Sequence, residues 1–170
     1  MSERLYTSKQ MGDAGEMLVA AELTLHGIPA LKVPDNWPHY DIIAQPPDNW
    51  PGYHTDARPP QTISVKTRTF ARSGNFVGYH DSDKFDWLAI VILPGEGLEV
   101  RRIFLVPYSI ARERSYQADY RSGRGFFVHR LIHPPPSPFP TGQPAQGGGW
   151  GLADYENNFG LSEAAPVQPT

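Results

Sequence analysis

The apolar residues of this chain fall into separated runs, and the spacing inside each run predicts a different element. In residues 9–26, Met17, Leu18, Val19, Ala20, Ala21, Leu23 and Leu25 cover most faces of a 3.6-residue period. That pattern predicts a helix packed on a sheet and covered elsewhere as well. Ser8 is the expected N-cap and Gly27 the expected residue beyond the C-cap. Gly12 and Gly15 each cost such a helix about 1 kcal/mol, so two of them in one turn point to a close backbone approach. Short runs at 28–33 and 40–44 predict strands. In residues 61–70, Ile63, Val65, Thr67 and Thr69 alternate with Ser64, Lys66 and Arg68, the period of a half-buried strand. Residues 85–93 (FDWLAIVIL) are nearly all apolar, as a strand buried on both faces requires. The turn residues Pro94, Gly95, Glu96 and Gly97 lead to a strand at 101–106, expected to form a hairpin with its predecessor. A short helix at 107–115, a last strand at 126–131 and a short helix at 152–159 complete the prediction. One helix, then strands with a late inserted helix, is an α/β (α+β) pattern: a three-layer core with a mixed central sheet flanked by helices.

The chain has 170 residues, 16 of them Gly and 18 Pro, and no Cys. The Gly and Pro cluster. Residues 133–149 (HPPPSPFPTGQPAQGGG) offer little to bury and predict a linker, and the Pro-rich residues 45–60 predict a long loop. The expected organisation is one domain over 1–132, a linker over 133–149, a short helix over 150–160 and a disordered tail over 161–170. Without Cys there is no disulfide framework, thiol nucleophile or Cys-ligated zinc. No apolar run approaches the roughly 20 residues that span a bilayer, and no apolar segment follows Met1-Ser2-Glu3-Arg4 as in a signal peptide. A soluble cytoplasmic protein is expected.

Three residues stand out chemically: Glu16 in the first helix, Asp41 in an apolar strand and Lys66 in the alternating strand. A carboxylate among Tyr40, Ile42 and Ile43 is expensive to bury unless paired or bound to a cation. From spacing alone, an Asp41–Lys66 ion pair accounts for both charges. A divalent-cation site with hard oxygen ligands, beside a lysine that orients water, accounts for them too. Other motifs carry less. Gly12-Asp13-Ala14-Gly15 lacks the strand and the Lys-Ser/Thr of a phosphate loop. His129 and His133 share no helical face, and no serine has a visible base.

Gly12-Asp13-Ala14-Gly15-Glu16 with its apolar helix, then Gly27-Ile28-Pro29, Tyr40-Asp41-Ile42-Ile43 and Ile63-Ser64-Val65-Lys66-Thr67 together resemble the PD-(D/E)XK nuclease superfamily. The likeness is to its small branch of Holliday-junction resolvases and intron-encoded endonucleases. Lys84-Phe85-Asp86-Trp87-Leu88 and Asp154-Tyr155-Glu156-Asn157-Asn158-Phe159 are similar to later parts of such proteins. The resemblance implies a restriction-endonuclease-like fold and metal-dependent cleavage of DNA, branched DNA included. It implies Asp41 and Glu16 as Mg²⁺ ligands (Mn²⁺ as a substitute), with the Val65 carbonyl as a third and Lys66 positioning the water. Ser64 departs from the pattern, which has Glu, Asp or Gln there, and the departure puts activity in question. Pro34-Asp35 is a literal Pro-Asp pair, but it lies in a turn-rich segment, and Asp41 is taken as the strand aspartate.

The net charge of −3 hides an uneven distribution. Residues 1–57 hold three basic and eight acidic side chains, residues 58–130 twelve and seven, and residues 131–170 none and three. Arginine suits bidentate phosphate contact, so Arg68, Arg72, Arg121 and Arg124, with Thr67 beside the site, are the expected DNA contacts. Arg121-Ser122-Gly123-Arg124-Gly125 is expected to be a flexible loop. Two further readings stand beside the endonuclease: a nuclease-fold module that binds DNA or protein without catalysis, and an assembly protein whose linker presents the terminal helix to a partner. Resolvase-like relatives often dimerise, so a homodimer is an expected assembly.

Overall fold

Local chemistry fixes both ends of the first helix. The computed structural model describes residues 6–47, 59–71, 76–95, 97–117, 123–127 and 152–163. In it α1 (Ser8–Leu25) is capped by Thr7, not Ser8. The Gln10 N–H donates to Thr7 Oγ1 at 3.2 Å and the Thr7 N–H donates to Gln10 Oε1 at 2.8 Å. Ser8 could not make this reciprocal box, because three residues beyond it stands Met11. At the far end Gly27 adopts φ 85°. There the N–H groups of Gly27 and Ile28 close on the carbonyls of Thr24 and Leu23 at 3.0 and 2.9 Å.

The strands are β1 (Ala30–Lys32), β2 (Ile42–Ala44), β3 (Gln61–Thr69), β4 (Phe76–His80), β5 (Trp87–Leu93) and β6 (Arg102–Pro107). They are followed by α2 (Tyr108–Arg114), β7 (Tyr116–Gln117), β8 (Gly123–Phe127) and a 3-10 turn (Ala153–Tyr155). Five strands form one sheet in the order β1-β2-β3-β5-β6, with β3 and β5 parallel and the other neighbours antiparallel. This is the mixed sheet of an α+β fold, with β5 and β6 in the expected hairpin. Residues 87–92 are buried, as their unbroken apolar run predicts.

Alternation along the strands builds a core on each face. On one face, Val19 and Leu23 of α1 meet Ile42, Ile63, Val65, Trp87, Ala89 and Val91. On the other, Leu88, Ile90, Ile92, Phe104 and Val106 meet Val77 and Tyr79 of β4 and Ala111 of α2. The third layer thus combines α2 with a small sheet, β4-β8-β7, that the sequence pattern does not reveal. Gly78 of β4 stands opposite Gly125 of β8, so the pairing carries no period-2 side-chain signal there. The last strand begins at Gly123 and joins β4, so Gly123-Arg124-Gly125 belongs to a strand and not to the flexible loop expected. Residues 128–131 lie outside the described residues.

The C-terminal segment also differs from expectation. Where a helix is predicted over 152–159, only the 3-10 turn forms. The chain instead runs along β6: Phe104 bridges Glu156, the Asn157 N–H reaches the Ile103 carbonyl at 2.9 Å, and Asn158 Nδ2 reaches the Leu105 carbonyl at 3.1 Å. Leu152 and Tyr155 are buried in one core, Phe159 and Leu161 in the other. The segment therefore crosses an edge strand from face to face and satisfies its outer hydrogen-bonding groups. Arg102 and Glu156 pair bidentately beneath it. The segment is part of this chain's own core and is not free to be presented to a partner. Among the described residues no helix is long and apolar enough to cross a membrane.

Candidate active site

The site arises because β3 outruns β2. The two strands pair only over Gln61–Ile63, whereas β3 continues to Thr69. The N–H and C=O of one strand residue point to the same side. The Ile63 carbonyl accepts the Asp41 N–H at 2.9 Å, so residues 65, 67 and 69 direct their backbone groups into the gap left beside β2. Asp41 stands just before β2 and closes the first open rung: its Oδ2 accepts the Val65 N–H at 2.6 Å. Its own carbonyl accepts the Val33 N–H at 2.9 Å, which ties Asp41 to the end of β1.

Helix α1 covers the same gap. A Cβ on Gly15 would lie 1.8 Å from Thr67 Oγ1, so only glycine permits this approach. The close backbone approach expected from the paired glycines is real at Gly15, whereas a Cβ on Gly12 would meet nothing within 4 Å. The approach carries the next residue, Glu16, to the mouth of the gap. Glu16 and Asp41 line one open cleft of about 380 Å³, together with Lys9, Asp13, Asp35, Trp37 and Tyr40.

Charge is dense there. Lys32 Nζ lies 2.8 Å from Asp35, 3.2 Å from Glu16 and 3.3 Å from Asp13. Lys9 Nζ lies 2.8 Å from Asp35 and 2.9 Å from Asp13. Asp35 is lowered to about 2, first by the Lys32 hydrogen bond and then by that of Lys9. Asp13 is lowered as well, chiefly by Lys9. Glu16 behaves oppositely. Burial raises its carboxyl, the charges of Asp41 and Asp13 add to the rise, and Lys32 opposes it. Four carboxylates thus face two ammonium groups: Lys32 pairs with Asp35, Glu16 and Asp13, and among the described residues Asp41 has no cationic partner. Sequence reasoning missed Lys32 and Asp13 and took Asp35 for a turn residue alone. The signal available was the (i, i+3) spacing of Lys32 and Asp35.

Lys66 faces away from α1. In register it stands beside Ile90, a member of the opposite core, and it does not line the cleft. Among the described residues it forms no ion pair, and Asp41 bonds to the Val65 N–H instead. The Asp41–Lys66 ion pair that spacing alone allowed is therefore absent. Ser64 lies buried on the Lys66 face, in register with Leu88. Thr67 requires a correction. It is buried beneath Gly15, and its hydroxyl has no partner and no route to a phosphate. Arg68 is exposed, on the same face as Lys66. Arg72, Arg121 and the side chain of Arg124 lie outside the described residues.

Two carboxylates and a strand-edge carbonyl are hard oxygen donors. Among the described residues no group of three or more His, Asp or Glu side chains could hold a metal ion. Oxygen donors of this kind are the type that Mg²⁺ takes, commonly one or two carboxylates completed by waters and substrate phosphate.

No protein-family model matches the chain. No curated protein sequence matches it either. Among solved structures it is similar to a bacterial homing endonuclease, I-Ssp6803I, at 13% identity and TM-score 0.49, over 90% of this chain and 88% of that one. It is also similar to Hjc, a Holliday junction resolvase from Archaeoglobus fulgidus, at 12% identity and TM-score 0.39, over 66% of this chain and 87% of that one.

Proposed function

We propose that the chain is a metal-dependent DNA endonuclease that hydrolyses phosphodiester bonds at the Glu16–Asp41 cleft. One observation supports it above all: Glu16 and Asp41 line one cleft, beside the strand edge that β2 leaves open, in which four carboxylates outnumber two ammonium groups. Such a cleft repels a phosphate unless a cation intervenes. Glu16, Asp41 and the Val65 carbonyl would hold Mg²⁺ or Mn²⁺, which when bound supplies charge stabilisation to the phosphoryl oxygens and a water of lowered pKa. The Val65 N–H fixes Asp41 through Oδ2 and leaves Oδ1 available. Lys66 stands on the other face of β3, so its flexible four-carbon stem would reach round the open strand edge to bring a point charge to the attacking water. Arg68, Arg72, Arg121 and Arg124 would follow the DNA backbone.

The test is incubation of the purified full chain with plasmid and branched DNA in Mg²⁺, Mn²⁺ or EDTA. Cleavage should require the ion and fall roughly 100-fold or more in Asp41→Asn and Lys66→Ala. Equally intact DNA with wild type and Lys66→Ala would refute it. The buried Ser64, and a cleft that Lys66 does not line, favour a second reading: a nuclease-fold module that binds DNA without cutting. That reading predicts DNA binding that survives Asp41→Ala and no heat of Mn²⁺ binding.

A further inference from the structure

The loop between β1 and β2 displays a large aromatic ring that packing does not require. Trp37 is 49% exposed, yet its loop is anchored throughout. The Val33 N–H bonds the Asp41 carbonyl across the loop base, and the Trp37 N–H bonds the Pro34 carbonyl at 3.1 Å. Asp35 is tied to both Lys9 and Lys32. Asn36 and His39 sit at φ 67° and 76°, a left-handed conformation that non-glycine residues adopt at a cost. Tyr40 packs on the second core and touches the Trp37 ring, with centroids 6.4 Å apart and planes inclined by 54°. Both residues line the cleft that holds Glu16 and Asp41. The chain thus fixes an apolar, π-faced surface on the wall of an otherwise acidic cleft.

We propose that Trp37, backed by Tyr40, is a stacking platform for an unpaired nucleobase adjoining the phosphodiester held at Glu16 and Asp41. The proposal rests on the endonuclease reading and names its substrate class: DNA with a base outside the helical stack, as at a bulge, branch or single strand. The face of a stacked base pair is not available to an indole, whereas an unpaired base offers its π-face at little cost. Stacking tolerates any base, so the platform selects structure and not sequence. Its anchored loop loses little freedom on binding, which favours affinity.

The experiment measures affinities of the full chain for three labelled DNAs, a perfect duplex, the same duplex with one bulged base, and that duplex with an abasic bulge. Lys66→Ala in Mg²⁺ serves as the background, so that hydrolysis plays no part while Glu16 and Asp41 stay intact. The bulged-base duplex should bind roughly 5- to 150-fold tighter than the other two, the span expected for one base–aromatic stack. Trp37→Ala should abolish the preference and Trp37→Phe should keep most of it, with thermal melts confirming that both fold. A platform is ruled out by equal binding of the perfect and bulged duplexes, by an abasic bulge that binds as well as a base, or by a preference that survives Trp37→Ala. Hydrolysis is scored separately on the chain with Lys66 intact, so a missing nuclease and a missing platform give different results.

Discussion

Replacing Gly15 by alanine adds one methyl group where α1 crosses β3, and the added carbon would lie 1.8 Å from Thr67 Oγ1 and 2.9 Å from Thr67 Cβ. Neither atom can retreat, because Thr67 is buried in a strand paired to β5. Overpacking of this kind costs about 1–3 kcal/mol. The better helix propensity of alanine returns at most about 1 kcal/mol. The net loss is therefore about 0–2 kcal/mol, and the 1.8 Å contact sets it toward the upper end, a fall in Tm of roughly 4–8 °C for a protein of this size. Gly12, one turn earlier, is the internal control. A Cβ there meets nothing within 4 Å, so Gly12→Ala should raise stability by about 0.5–1 kcal/mol. Thermal and urea denaturation of the two variants measure both signs. Adding Thr67→Ala to Gly15→Ala removes the Oγ1 and Cγ2 contacts but leaves the Cβ contact, so it should restore part of the loss non-additively. If Gly15→Ala proves as stable as wild type, α1 does not approach β3 in this way, and the placement of Glu16 fails with it.

Glu16 and the C-terminal segment yield two more expectations. Glu16 is raised by burial and neighbouring acids, so its proton is held more tightly in the folded chain than in the unfolded one. Folding stability from this group is then lost as pH rises through the folded value. Glu16→Gln should accordingly raise Tm near neutral pH, and the gain should vanish well below the ordinary glutamate value of 4.5, where both states are protonated. A variant that is no more stable at neutral pH would contradict this. Ending the chain after residue 150 removes four buried apolar side chains, Leu152, Tyr155, Phe159 and Leu161. At about 1.5–3 kcal/mol each the gross loss is about 6–12 kcal/mol, comparable to the whole stability of a domain. Circular dichroism of the truncated chain should show an unfolded or molten protein, and a cooperative melt at the wild-type temperature would refute the clamp.

Most of the main sheet was legible because its strands carry side-chain periodicity. The buried run of β5 and the alternation of β3 are consequences of facing one core or two, and burial is what hydrophobic patterning records. The small second sheet was not legible. Its pairing sets Gly78 against Gly125, and glycines record turns as readily as strands. The C-terminal segment misled for a related reason. Its apolar residues are spaced to reach both faces around β6, and that spacing imitates a helix. Of the candidate site, Glu16 and Asp41 were found because carboxylates near apolar runs are costly and demand an explanation. Lys32 was missed because a lysine at the end of a short strand needs none. Thr67 was misassigned because alternation along β3 cannot say which face a helix will cover, and that face is the one Gly15 approaches.

Four features of the β2–β3 gap are each unfavourable if judged alone. Beyond Ile63 one edge of β3 lacks a strand partner among the described residues, a carboxyl is raised by its surroundings, four carboxylates outnumber two ammonium groups, and an anchored loop exposes an indole. By contrast, the outer edge of β6 is paired by the C-terminal segment, and Arg102 is matched by Glu156. A fold that closes one edge at the expense of ordering a whole segment has the means to close another. Sequences agree with their structures locally except where something other than folding is selected. The concentration of four such features in one cleft is what the proposed ligand-binding role of Glu16, Asp41 and Trp37 would account for. Under the proposed endonuclease reading, a net charge of −3 is compatible with DNA binding. The excess acid lies in the N-terminal third, where a cation can offset it, while the arginines lie along the chain that follows.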